Sequence, residues 1–308
     1  MNYKLIIKLN KCFIVNMFQQ NNMTTYTDDN WFQYIEETPG NQWSYYNLST
    51  NPNITWDIIC ANPDKLWDFR MVSRNPNITW DIICANPDKA WDYKHMSINP
   101  NITWDIVNAN PDKPWDFNSL HLNPNTTWDV IEANPNKPWI YPVLSCNPNI
   151  TWDIICANPD KPWDYDYLSR NPNITWDMVA STQDKGWNTV SLSNHPNITM
   201  DIIKANPDIK WFMDYICENP NITWDIVEAN PDMPWNYAYL SMNPNITWDI
   251  VEANPDKPWN YFAFSLNPNI TWDIVKENPD KTWSYIMLSV NKMSKHEFFQ
   301  NKLSYVLK

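Results

Sequence analysis

The chain has 308 residues, with 22 Lys+Arg against 35 Asp+Glu and a formal charge of −13. That sign repels phosphate backbones and counts against nonspecific nucleic-acid or anionic-membrane binding, while a hydrophobic content of 43% excludes general disorder. No stretch approaches the ~20 uninterrupted apolar residues of a membrane span, and 21 Trp and 26 Pro beside only 2 Gly point to repetition rather than to the two domains that length alone suggests.

Residues 1–26 form an N-terminal segment, disordered or upstream of a true start at Met23. Its apolar run from Leu5 to Phe18 is broken by Lys8, Asn10 and Lys11, with no clear small-residue cleavage site, so a signal peptide is not expected. From there the chain is a lattice. NPNITW recurs at Asn51, Asn75, Asn99, Asn147, Asn171, Asn219, Asn243 and Asn267, with variants at Asn123 and His195, each start 24 residues after the last. Ten repeats therefore fill 51–290. Trp43 lies 24 residues before Trp67, so 27–50 is a degenerate capping repeat, and 291–308, with Phe298 and Phe299, is a partial C-terminal one. Degenerate ends suit a stacked array, whose outermost faces meet water.

Within a repeat, the run Thr55-Trp56-Asp57-Ile58-Ile59-Cys60-Ala61 allows two readings. Alternation of Ile54, Trp56 and Ile58 suits a strand. A helix would take Thr55 as N-cap and Asp57 in its first turn, where a carboxylate meets unpaired N–H groups. The second half favours a helix: Pro114 is read at a first helical position, Asp116 just after it, and Phe117 with Leu120 as an i, i+3 apolar pair. Helices must stop near each Asn-Pro, because the residue before proline avoids the α region. The expectation is an all-α, right-handed superhelical solenoid of helical hairpins, 24 residues per unit, with helices of roughly two turns. A β-solenoid or leucine-rich-repeat-like coil is the alternative, disfavoured by the scarcity of Gly.

Runs such as NPNITWDIVEANPDKPWNYFAFS, starting at Asn243, resemble the tandem-repeat proteins of giant, mimivirus-like DNA viruses. The resemblance covers about residues 27–299. It implies a viral origin and an α-solenoid, and no activity.

Comparing repeats separates constant from variable positions. The Ile-Thr-Trp-Asp run at positions 4 to 7, the apolar pair at 8 and 9, Ala at 11, Asn-Pro at 12 and 13 and Trp at 17 are nearly constant, with Thr126 and Met200 as exceptions in the first run. These are expected to form the interior and the turns. An aromatic stacking platform for bases or sugars is the competing reading of the tryptophans. If they are core, Trp163→Ala costs ~3–5 kcal/mol.

Positions 10, 20, 21 and 24 vary. They read either as a recognition surface or as neutral drift on a solvated face. They turn from basic and polar in early repeats to apolar and aromatic in late ones, so Tyr239, Met242, Phe262, Leu266, Ile286 and Met287 are the candidate partner-binding residues. The array is disturbed at 178–217, where Thr182-Gln183 replaces Asn-Pro, Gly186 enters, and His195, Met200 and Phe212 replace the usual residues. A softer joint or a functional insertion point would account for it.

Other signals carry less. Cys60, Cys84 and Cys156 share position 10, Cys146 and Cys217 stand at 24 and 23, and no CxxC or Cys-His ligand spacing exists, so free thiols in a reducing compartment such as a host cytoplasm are expected. Asn-Ile-Thr at Asn53, Asn77 and Asn101 matches an N-glycosylation acceptor, but the same Thr serves as a helix cap. The aspartates from Asp57 to Asp273 would need Gly-rich turns to converge on Ca²⁺. His95, His121, His195 and His296 occupy unrelated positions, so no catalytic set is assembled. Neither a metal nor a cofactor is expected. The sequence thus predicts a non-enzymatic scaffold for an unnamed protein partner. The alternatives are a structural virion or surface component and, less favoured, single-stranded nucleic-acid binding.

Overall fold

The computed structural model describes residues 29–293, with side chains from Phe32 onward. The segment 1–28, Trp31's indole, and residues 294–308 with Phe298 and Phe299 lie outside the described residues. Among those described there are 22 short helices and no strand, with helix starts recurring about every 12 residues, which is consistent with a helical repeat solenoid and removes the β alternative.

The first helix of each repeat is set by its cap. Thr55, extended at φ −87° and ψ 165°, accepts the N–H of Ile58, and Trp56–Ala61 follows. Asn62 ends it: its Nδ2 donates to the Ile58 carbonyl at 2.9 Å, its N–H to Ile59, and Pro63 forbids continuation. Each such helix is six residues long, shorter than expected.

The second helix is shorter still and starts later than the sequence suggested. Phe117–Leu120 follows an extended Asp116, so Pro114 and Trp115 precede the helix rather than open it. The indole explains why. Trp115 donates Nε1–H to the Asn110 carbonyl at 2.8 Å and its backbone N–H to Lys113, a tight turn that keeps it out of helical register. Trp67, Trp91, Trp139 and Trp163 are pinned in the same way.

The core is narrower than the constant positions implied. Ile54, Ile78 and Ile150 at position 4, Ile59 and Ile83 at position 9, and Val72, Met96 and Leu168 at position 22 are buried. Most tryptophans are only half-buried. They pack between repeats: Trp56 lies 5.6 Å from Trp91 and Trp128 6.0 Å from Trp163, with Phe69 and Tyr141 edge-on to the later partner. Ala61, Ala85 and Ala109 are exposed, so close packing does not explain their constancy; high helix propensity in a last turn does. With Trp163 half-buried, its replacement by Ala is expected to cost about 2 kcal/mol rather than the full core value, read as a shift in the urea midpoint.

Asparagine supplies the polar spine. Asn99 is fully buried; its Nδ2 donates to the carbonyls of Ser73, Asn75 and Ile78 at 3.0–3.1 Å, and its Oδ1 accepts the N–H of Asn101. Asn101 in turn donates Nδ2 to Pro76 and Ile78 of the preceding repeat. That nitrogen is the atom an N-linked glycan would occupy, so the Asn-Ile-Thr pattern here builds a ladder. Serine at position 23 is the second link: Ser73 donates Oγ–H to Phe69 and accepts the N–H of Asp92, 19 residues on. Substitutions keep these roles. His195 accepts from Asn197 through Nδ1 and Thr182 donates to Met178 in place of the capping asparagine, while Thr126, in the place of a core isoleucine, satisfies its own hydroxyl on the Leu120 carbonyl.

The chain forms two compact units. Among the described residues, the first spans Ile54–Leu192 and the second combines residues 29–53 with residues 193–293. The passage between them, at Leu192 and Ser193, falls inside the irregular stretch 178–217. In the second unit the degenerate first repeat does not present its packing face to water. Trp43 packs against Trp272 and Tyr285, Tyr34 against Trp272, and Ser44 donates its N–H to Ser289 Oγ at 3.0 Å. The expectation of a water-facing terminus is replaced there by residues 29–53 covering residues 267–293.

Candidate interaction face

The variable positions fall on and just beyond the four-residue second helices, Tyr237–Leu240, Tyr261–Phe264 and Tyr285–Leu288. One turn is too short to bury all its sides. Position 22 faces inward, as Leu240, Phe264 and Leu288 show, and position 20 faces out. Phe262 is 44% exposed and Ile286 40%. Tyr239, Met242, Leu266 and Met287 are half-buried, so the predicted set divides into an exposed pair and a flanking group.

One member was missed. Tyr46, 50% exposed, holds position 20 of the first repeat, and Asn47 beside it donates Nδ2–H to the Ile286 carbonyl at 3.0 Å. Phe262, Ile286 and Tyr46 are therefore the outward residues of three successively stacked repeats, although Tyr46 is 240 residues away from Ile286 in sequence. The signal was its position in the lattice; what the sequence lacked was any sign that the first repeat follows the last. Exposed Leu66 and Ile140 belong to the first unit and to other repeat positions.

Two repeats before Phe262, beyond Ala238 at the same position, an acidic group in the second unit is carried by the helix Met213–Glu218. Asp214 Oδ1 accepts from Asn236 Nδ2 at 2.8 Å, and Glu218 Oε2 faces Asn194 Nδ2 at 3.5 Å. Burial, reinforced by the charge of Asp214, pushes the Glu218 carboxyl up to about 7. Tyr215 and Tyr239, 6.5 Å apart, are both raised by burial. The Cys217 thiol, standing where serine is usual, accepts the N–H of Asn236 at 3.3 Å and is pushed by burial up to about 11.

The remaining sequence candidates do not converge. The position-7 aspartates stand in the first turns of separate helices, and among the described residues no group of three or more His, Cys, Asp or Glu is placed to hold a metal ion. The five described cysteines form no disulfide, with Cys60, Cys84 and Cys156 exposed and Cys146 and Cys217 buried. A thiol reagent applied to the native protein, in a Cys12→Ser background, should therefore modify the first three and reach the other two only on unfolding. Peptide mapping of the labelled sites reads this directly.

No helix among the described residues is long and apolar enough to cross a membrane. Comparison with models of protein families, with curated proteins and with solved structures finds no match.

Proposed function

We propose that the protein is a non-enzymatic repeat scaffold that binds a protein partner through the exposed side chains of position 20 in its second unit. The observation that carries this reading is the row Phe262, Ile286 and Tyr46, large apolar groups held in water by a backbone whose own polar groups are consumed in the asparagine and serine ladders. Drift on a solvated face would scatter such residues; here three adjacent repeats carry them. The Asp214 carboxylate, at position 20 of the same unit, suits a partner segment that pairs apolar with basic residues.

The same reading takes the 24-residue helical hairpin as the building block and a right-handed winding for each stack. The recurrence of asparagine hydrogen bonds at separations of 24 and 26 residues supports the hairpin as the unit. A viral origin and a reducing host compartment, with the five described cysteines as free thiols, belong to the same proposal.

The test is affinity capture from infected cells with the intact protein and with a triple variant, Tyr46→Ser, Phe262→Ser and Ile286→Ser. A partner held by the first and lost by the second supports the reading. Equal partner sets overturn it, and recovery of the protein in purified particles with no partner lost would favour a structural virion role.

A further inference from the structure

An eleventh repeat is present in the second unit, built from two pieces of chain. Asn291 supplies its opening: Nδ2 donates back to the Ser265 and Asn267 carbonyls at 3.1 and 2.8 Å, Oδ1 accepts the Met293 N–H, and the Asn291 carbonyl accepts forward from Asn51. Residues 29–50 supply the rest. Thr38 stands at the helix-ending position and donates to the Tyr34 carbonyl as the usual asparagine does, and it accepts from Trp43 Nε1 on its hydroxyl where the usual tryptophan donates to the asparagine carbonyl. Ser44, Asn51 and Asn53 then make the bonds proper to their positions, but to Ser289, Asn291 and Lys292.

The register shows that this is repeat stacking and not incidental contact. Ser44 and Ser289 are 245 residues apart, where Asp92 and Ser73 are 19 apart; Asn51 and Ser289 are 238 apart, where Asn99 and Ser73 are 26 apart. Each pair of separations makes up 264, eleven lengths of 24. The ring contacts obey the same rule, Trp43 on Trp272 and Tyr285 matching Trp91 on Trp56 and Phe69.

We propose that this joint is a docking surface for a second copy of the chain, whose residues 29–53 take the place of the first copy's own. Two properties support it. The contacts are non-covalent across the joint, whereas other successive repeats are also joined by the peptide chain. The two surfaces are different patches of one chain, so a second copy offers the same complement without any new contact, which is the geometry of heterologous association and segment exchange. Docking within one chain has the advantage of high effective concentration, so exchange emerges when one surface of the joint is damaged or the protein is concentrated.

The test uses two full-length variants. Trp43→Ala damages the N-terminal surface and spares Trp272, which is 6% exposed under it; Trp272→Ala does the reverse. Mixed, the intact surfaces belong to different copies, and native mass spectrometry should show a heterodimer at least about tenfold tighter than either homodimer. No heterodimer from folded variants overturns the proposal. Because a Trp→Ala variant could unfold, the wild-type chain is tested as well. Light and heavy isotopic copies are mixed, partly unfolded and refolded at high concentration, then joined by carbodiimide between the carboxylates of residues 29–53 and Lys276 or Lys281. Mixed-isotope links support exchange. Same-isotope links alone at every concentration overturn it.

Discussion

Replacing Asn171 by alanine should destabilise the first unit by about 3–4 kcal/mol, more than loss of any half-buried tryptophan. The side chain is fully buried, and its two Nδ2 hydrogens serve three carbonyls, Ser145 at 2.9 Å, Asn147 at 3.0 Å and Ile150 at 2.9 Å, while Oδ1 accepts the Asn173 N–H at 3.0 Å. Alanine strands several buried main-chain groups at once, and a stranded buried group costs ~1–3 kcal/mol. The nearly isosteric Asn171→Asp should be no better, since it keeps the acceptor but aims a carboxylate oxygen at carbonyl oxygens. Unfolding in urea, followed together with hydrogen exchange at Ile150 and Asn173, reads both the magnitude and the site. Long repeat arrays do not always unfold in one step, so the local exchange rates carry the decision. A loss below about 1 kcal/mol for Asn171→Ala would mean that the ladder is decoration on a stack held by its apolar side chains alone.

Much of this was readable in the sequence where one residue type performs one local task. Thr55 caps because its hydroxyl reaches Ile58, and Asn62-Pro63 stops the helix whatever the surroundings. Constancy misled where it was equated with burial. Trp56 and Trp91 are constant because each repeat needs the other's ring, and a ring shared between repeats remains half in water. Ala61 is constant and exposed. Asn99 and Ser73 stand beside the turns, and their larger task, tying one repeat to the next, could not be inferred from spacing within a repeat. Least legible was the joint of residues 29–53 with 267–293: a contact over 238 residues leaves no local trace, and it alone brings Tyr46 beside Ile286.

Acid should distinguish the two units through His121 and Glu218. His121 takes the serine position, fully buried, and its Nε2 accepts the Ile140 N–H at 2.6 Å with the Trp139 ring edge-on at 5.6 Å. That bond requires a bare Nε2, so protonation would set a new donor against an existing one. Burial accordingly depresses the imidazole from 6.5 to about 4. Between those values the unfolded chain binds the proton and the native one does not, so stability is whole above pH 6.5 and falls as the pH drops to 4, by about 3 kcal/mol from this group. Glu218 acts in the opposite sense. Its folded value, about 7 against 4.5, means that the native state binds the proton first, so its burial costs stability above pH 7 and ceases to cost below 4.5. His121→Ser restores the residue found in neighbouring repeats and should flatten the acid limb for the first unit, and Glu218→Gln should raise stability above pH 7 for the second. Melting of the wild type and both variants from about pH 4 to 8, with hydrogen exchange assigning each change to its unit, separates the two. An acid limb that survives His121→Ser unchanged would show that the imidazole is not the group being protonated.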